Sequence, residues 1–159
     1  MLRKAIAAIE MVGGAMGALL FLRHALRVMH AEPDVWRAVP LPLAAFGFCA
    51  VAGVLLWLDR PAGCLLTLVA LAVQVPSIRT STFGYSFNVG IGLRMLLSAR
   101  GVSWFPFWGS ELHLTLREAA VRPTLGVNLV ALAFCVLVWR RRPVAGSIGG
   151  EAHDGAGIR

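Results

Sequence analysis

Charge is what this sequence has least of. Only 14% of its 159 residues are Asp, Glu, Lys or Arg, and 58% are hydrophobic; a soluble domain carries about 25% charged residues. That excludes an ordinary water-soluble globule and puts the chain in the membrane class. Lysine is nearly missing, since all but Lys4 of the 15 basic residues are arginines. The three cysteines, Cys49, Cys64 and Cys135, make no CxxC pair and no metal-ligand spacing, so they read as small apolar side chains packed between helices and imply no metal. A nucleophile–base set is missing as well, and nothing calls for a cofactor. A non-catalytic protein is therefore expected ahead of an enzyme.

What is present is apolar and basic. The net charge is +7, but the arginines flank apolar runs instead of gathering on a polar face, so lipid head groups are the expected counter-charge and nucleic acid is not. Four runs read as membrane helices, over about residues 5–29, 39–58, 64–78 and 123–139. The first is also compatible with a signal peptide, but Glu10 interrupts it and no small-x-small cleavage site follows. Gly13 and Gly17 form a GxxxG pair with Gly14 beside them, which lets another helix approach closely. Pro40 and Pro42 sit in the first turns of the second run, where the missing amide costs least. Asp59-Arg60-Pro61-Ala62-Gly63 is a tight turn.

Phe83 to Leu97 follows a different rule. Its odd positions are all apolar, and the even ones from Thr82 to Arg94 are small or polar, including Asn88, which is the period of a strand with one buried face. As a helix it would bury Arg94 at about 2.5–3.5 kcal/mol on insertion scales. Glu111 to Arg117 alternates in the same way, and turns are expected at Ala99-Arg100-Gly101 and Gly109-Ser110. The predicted fold is a four-helix transmembrane bundle with an extramembrane antiparallel β-hairpin or three-stranded sheet, about residues 82–118, between the third and fourth helices. Residues 1–142 form a single membrane domain and 143–159 a disordered tail.

Several residues are candidates for function. Glu10, Gln74 and Asn128 are the polar points within the apolar runs; together they make a ligand or ion site between helices, and separately they make ordinary interhelical hydrogen bonds. Arg23 and Arg27 share a helix face suited to an anionic head group. Trp104, Phe105, Phe107 and Trp108 form an aromatic patch that meets a partner or the membrane surface, or packs into the sheet's own core. His113, Glu111, Arg94 and Arg117 are placed to meet on the polar face of the sheet, where a solvated strand explains them as well as acid–base chemistry does. His24 and His30 have the wrong spacing for a shared metal.

The expected function is that of a small integral membrane component that binds a partner through its β insert and aromatic segment, in contact with the lipid bilayer and with another membrane protein or itself. The alternative is a small transporter or lipid-handling protein with a polar site between helices. Basic residues at the chain ends, densest at Arg140-Arg141-Arg142, favour an inner-membrane, multi-pass location with cytoplasmic termini and a periplasmic insert.

Overall fold

A computed structural model describes residues 1–29, 33–116 and 122–140. Arg117, Arg141, Arg142 and the tail from residue 143 lie outside them. Helices α1 (Leu2–Met29) and α2 (Pro40–Trp57) pack antiparallel through glycine. A Cβ on Gly14 would stand 2.6 Å from the Ala50 amide nitrogen, and one on Gly53 the same distance from that of Met11. The backbones touch, and no larger residue fits. Both segments are long and apolar enough to cross a membrane: Leu2–Val28 and Trp36–Trp57 have mean hydropathies of 2.0 and 2.2.

The other two helices do not reach that length. Helix α3 (Pro61–Gln74) has 14 residues and α4 (Leu129–Arg140) has 12, about 21 and 18 Å at 1.5 Å per residue, against a hydrocarbon thickness of about 30 Å. The expected four-helix transmembrane bundle with a small hairpin is therefore corrected: among the described residues only two helices are candidate spans, and the sheet has six strands. Pro76 stops α3, because it has no amide to continue the helix, and the chain runs on as strand β1 (Pro76–Arg79). Thr124–Asn128, expected as helix, is strand β6. Its Asn128 Oδ1 accepts from the amides of Val130 at 3.2 Å and Ala131 at 3.3 Å, capping α4. The two helix–strand junctions are tied directly, with the Asn128 amide donating to the Val75 carbonyl at 2.8 Å.

Between them lie β2 (Phe83–Asn88), β3 (Ile91–Ser98), β4 (Gly101–Trp108) and β5 (Glu111–Leu116), in the antiparallel order β4-β3-β6-β1-β2-β5. The four form one long hairpin. A single register runs from Ser98↔Gly101 through Ile91↔Trp108 and Asn88↔Glu111 to Phe83↔Leu116. Between its halves the Gly109 amide donates to the Gly90 carbonyl at 2.6 Å. At that point the hairpin folds over, with Gly90 at φ +78 and Gly109 at φ +119, conformations that an L side chain disfavours. The inner arm can then pair twice, β2 with β1 and β3 with β6.

Folding over curls the sheet into a U. In a flat sheet at about 4.8 Å per strand, β3 and β5 would lie about 19 Å apart, yet Arg94 Nη2 on β3 is 3.6 Å from Glu111 Oε2 on β5. The bend rests on α1: a Cβ on Gly13 would meet Val89 and Gly90 within 2.8 Å, and Ser110 Oγ donates to the Gly13 carbonyl at 2.6 Å. The glycine group of α1 thus receives α2 at Gly14 and the hairpin at Gly13. Phe87 and Val89 join Phe46, Cys49, Ala52 and Ala70 in one core, and Ile6, Leu56, Leu71, Ala131 and Val138 belong to a second, between the helices.

Candidate functional site: a basic cup in the folded sheet

Strand alternation sorts the side chains by face. Ser77 and Arg79 of β1, Ser86 and Asn88 of β2, Arg94 of β3, Glu111 and His113 of β5 and Thr124 of β6 share the inner face, by register. All of these but Asn88 line a cavity of ≈ 210 Å³, with Arg122 at its wall. Among the described residues three arginines, Arg79, Arg94 and Arg122, line this space with one carboxylate, Glu111.

Arg94 is the most constrained of the three. Its guanidinium lies 5.4 Å from the centre of the Phe107 ring, within reach of a cation–π contact. That ring occupies the space left by Gly92, where a Cβ would meet Phe107 Cζ head-on. The Asn88 carboxamide is best satisfied with its oxygen accepting from Arg94 Nη2 and from Ser86 Oγ at 3.1 Å, its nitrogen donating to the Phe87 carbonyl at 3.2 Å. Arg94 Nε is buried and has no hydrogen-bond partner among the described residues. A buried donor left unpaired costs about 1–3 kcal/mol, and a bound acceptor would recover that.

Glu10, Gln74 and Asn128 divide. Gln74 Nε2 donates to Glu10 Oε1 at 3.0 Å and to the Ala70 carbonyl at 3.1 Å, while Gln74 Oε1 accepts from the Val89 amide at 3.0 Å. Glu10 and Gln74 are 1% and 2% exposed, and their groups are spent on each other and on the hairpin bend. Asn128 is spent on capping α4. None of the three is among the cup's lining residues.

Arg23 and Arg27 are exposed on the last turns of α1. The aromatic patch splits by register: Trp104 and Trp108 stand with Met95 and Ile91 on the outer face, Phe105 and Phe107 with Arg94 and Gly92 on the inner one. Arg94, Glu111 and His113 do share the cavity. Ser77, Arg79, Arg122 and Thr124 were not foreseen as site residues, though polar and apolar residues alternate through Ser77-Ile78-Arg79 and Thr124-Leu125-Gly126-Val127-Asn128, which was the available signal. Among the described residues no three His, Cys, Asp or Glu side chains gather to hold a metal.

Chemically, the cup can grip an oxyanion. Guanidinium forks bind phosphate and carboxylate bidentately, and the Ser77, Ser86 and Thr124 hydroxyls can add donors. No protein-family model, characterised protein or solved structure matches this chain.

Proposed function

We propose that this is an integral membrane protein that holds an oxyanionic group, of the phosphate or carboxylate class, in the basic cup. The observation that carries the reading is the charge of the cavity lining: among the described residues, three arginines stand against a single carboxylate, in ≈ 210 Å³. That volume admits a head group or a small anion and not a folded partner. The cup is a better candidate than the aromatic segment, whose four rings divide between two faces of β4.

Membrane residence rests on exposure as well as hydropathy. Only 33% and 28% of the two apolar windows are buried inside the protein, whereas a core helix of a soluble protein hides most of its surface. A cleaved signal is disfavoured because α1 supplies Glu10 and Gly13 to the packed interior. Arg3, Lys4, Arg60 and Arg140 lie at one end of the helices, which favours a cytoplasmic position for that end and a cup opening on the opposite side of the inner membrane.

The test is calorimetric titration of the full chain, in nanodiscs of uncharged lipid, with inorganic phosphate and with a short-chain phosphatidic acid. Saturable binding is expected for at least one of them, weakened about tenfold or more by Arg94→Gln, since a charge-assisted hydrogen bond contributes about 1.5–3 kcal/mol. Absence of saturable binding to either, or identical binding by the variant, overturns the proposal.

A further inference from the structure

In the sequence the sheet reads as an insert lying outside the bilayer; its position against the two candidate spans argues for a different placement. The hairpin bend contacts α1 at Gly13 and Gly17, close to the middle of the segment Leu2–Val28. Phe87, one residue before Asn88 at the end of β2, packs on Phe46 of α2 with ring centres 5.4 Å apart. The sheet therefore starts near the mid-depth of these helices and rises beside their upper halves. Strand β1 continues α3 and β6 leads into α4 with no loop between. The first composite is about 34 Å long and the second about 35 Å, at 1.5 Å per helical and about 3.3 Å per strand residue, enough to match a hydrocarbon layer of about 30 Å.

The outer face of the sheet has the composition that this position requires. Leu97, Val102, Trp104, Leu114 and Leu125 are each about half exposed, at 49–57%, and Leu116 is 77% exposed. This apolar surface continues onto exposed residues of α3 and α4, among them Val69, Val73, Leu132 and Val136. A patch of that extent is not left in water. Polar groups keep to the inner face, and the free edges β4 and β5 border the slot of the U, where water in the cup can reach them; Pro106 also removes one edge donor. Irregular or unpaired backbone at membrane depth is tolerated where it lines a watery cavity.

We propose that the outer face of the curled sheet is immersed in one leaflet and covered by lipid acyl chains, so that the sheet completes the crossing that α3 and α4 begin and the cup is a water-filled recess within that leaflet. The inference is independent of any ligand in the cup, and neither test enters the other. Spin labels on single cysteines, with Cys49, Cys64 and Cys135 replaced by alanine, read it directly in reconstituted vesicles. Labels at Leu97, Leu114 and Leu125 are expected to collide several-fold more with oxygen than with a water-soluble nickel chelate, and labels at Ser103 and Thr124 to show the reverse. Equal access of the nickel chelate to both sets would put the sheet in water and overturn the proposal. Shielding of the outer set from both reagents would assign the face to a protein and overturn it too. A second readout avoids new cysteines: Trp104, retained with the other four tryptophans changed to phenylalanine, is expected to be quenched by brominated acyl chains and not by iodide.

Discussion

Replacing Gln74 by leucine removes a side chain that joins α1, α3 and the hairpin bend. Its Nε2 donates to Glu10 at 3.0 Å and its Oε1 accepts from the Val89 amide at 3.0 Å. Leucine leaves both partners buried without their bonds. A stranded buried group costs about 1–3 kcal/mol, so Gln74→Leu is expected to destabilise by about 2–5 kcal/mol. Glu10→Leu strands less, because Gln74 Nε2 keeps the Ala70 carbonyl at 3.1 Å; about 1–2 kcal/mol is expected. In the double variant no carboxyl is stranded, so the sum of the single effects overshoots. Side-chain hydrogen bonds between membrane helices average about 0.6 kcal/mol and reach about 1.7. A carboxyl buried beside one amide belongs at the upper end, giving a coupling of about 1.5 kcal/mol. Reversible unfolding in mixed detergent micelles, followed by circular dichroism, measures the cycle. Additivity within about 0.5 kcal/mol, the range for independent sites, would refute the contact as the tie between helix and sheet.

Two further substitutions probe the cup and its support. Gly92→Val displaces the Phe107 ring that a Cβ would meet; overpacking of this kind costs about 1–3 kcal/mol, and thermal unfolding should show it together with weaker phosphate binding, as Arg94 loses its stacking partner. Asn128→Ala removes the cap of α4 and is expected to cost about 0.5–2 kcal/mol with anion affinity unchanged, because the side chain does not line the cavity; a change in affinity at constant stability would restore Asn128 to the site.

Period-two alternation was legible wherever it ran long. Phe83 to Leu97 and Glu111 to Leu116 stand as β2, β3 and β5, and the turn at Ala99-Arg100 closes the hairpin. Gly109-Ser110 also looks like a turn in sequence, yet the pairing continues through it and only the direction changes. Local composition marks both events identically; the difference is set by α1, where Gly13 offers the bend a seat. Strands of four and five residues were hidden by the helices they abut, since an alternation that short does not stand out beside a long apolar run. The cup needed the curl. Arg79, Arg94 and Arg122 are scattered flanking charges in the chain, and they become one cavity wall only after β1 and β6 pair with the two ends of the hairpin's inner arm.

That double pairing can be tested directly with cross-strand disulfides. Ser77 stands opposite Ser86, and Leu97 opposite Leu125, and directly opposed residues are about 4.5–5.5 Å apart, within the span a disulfide bridges. With the native cysteines replaced by alanine, a chain carrying all four new cysteines should form both bridges in the same molecule, mapped by mass spectrometry of the digested protein. A hairpin folded over Gly90 and Gly109 predicts both at once; molecules that form one bridge and never the other would contradict it.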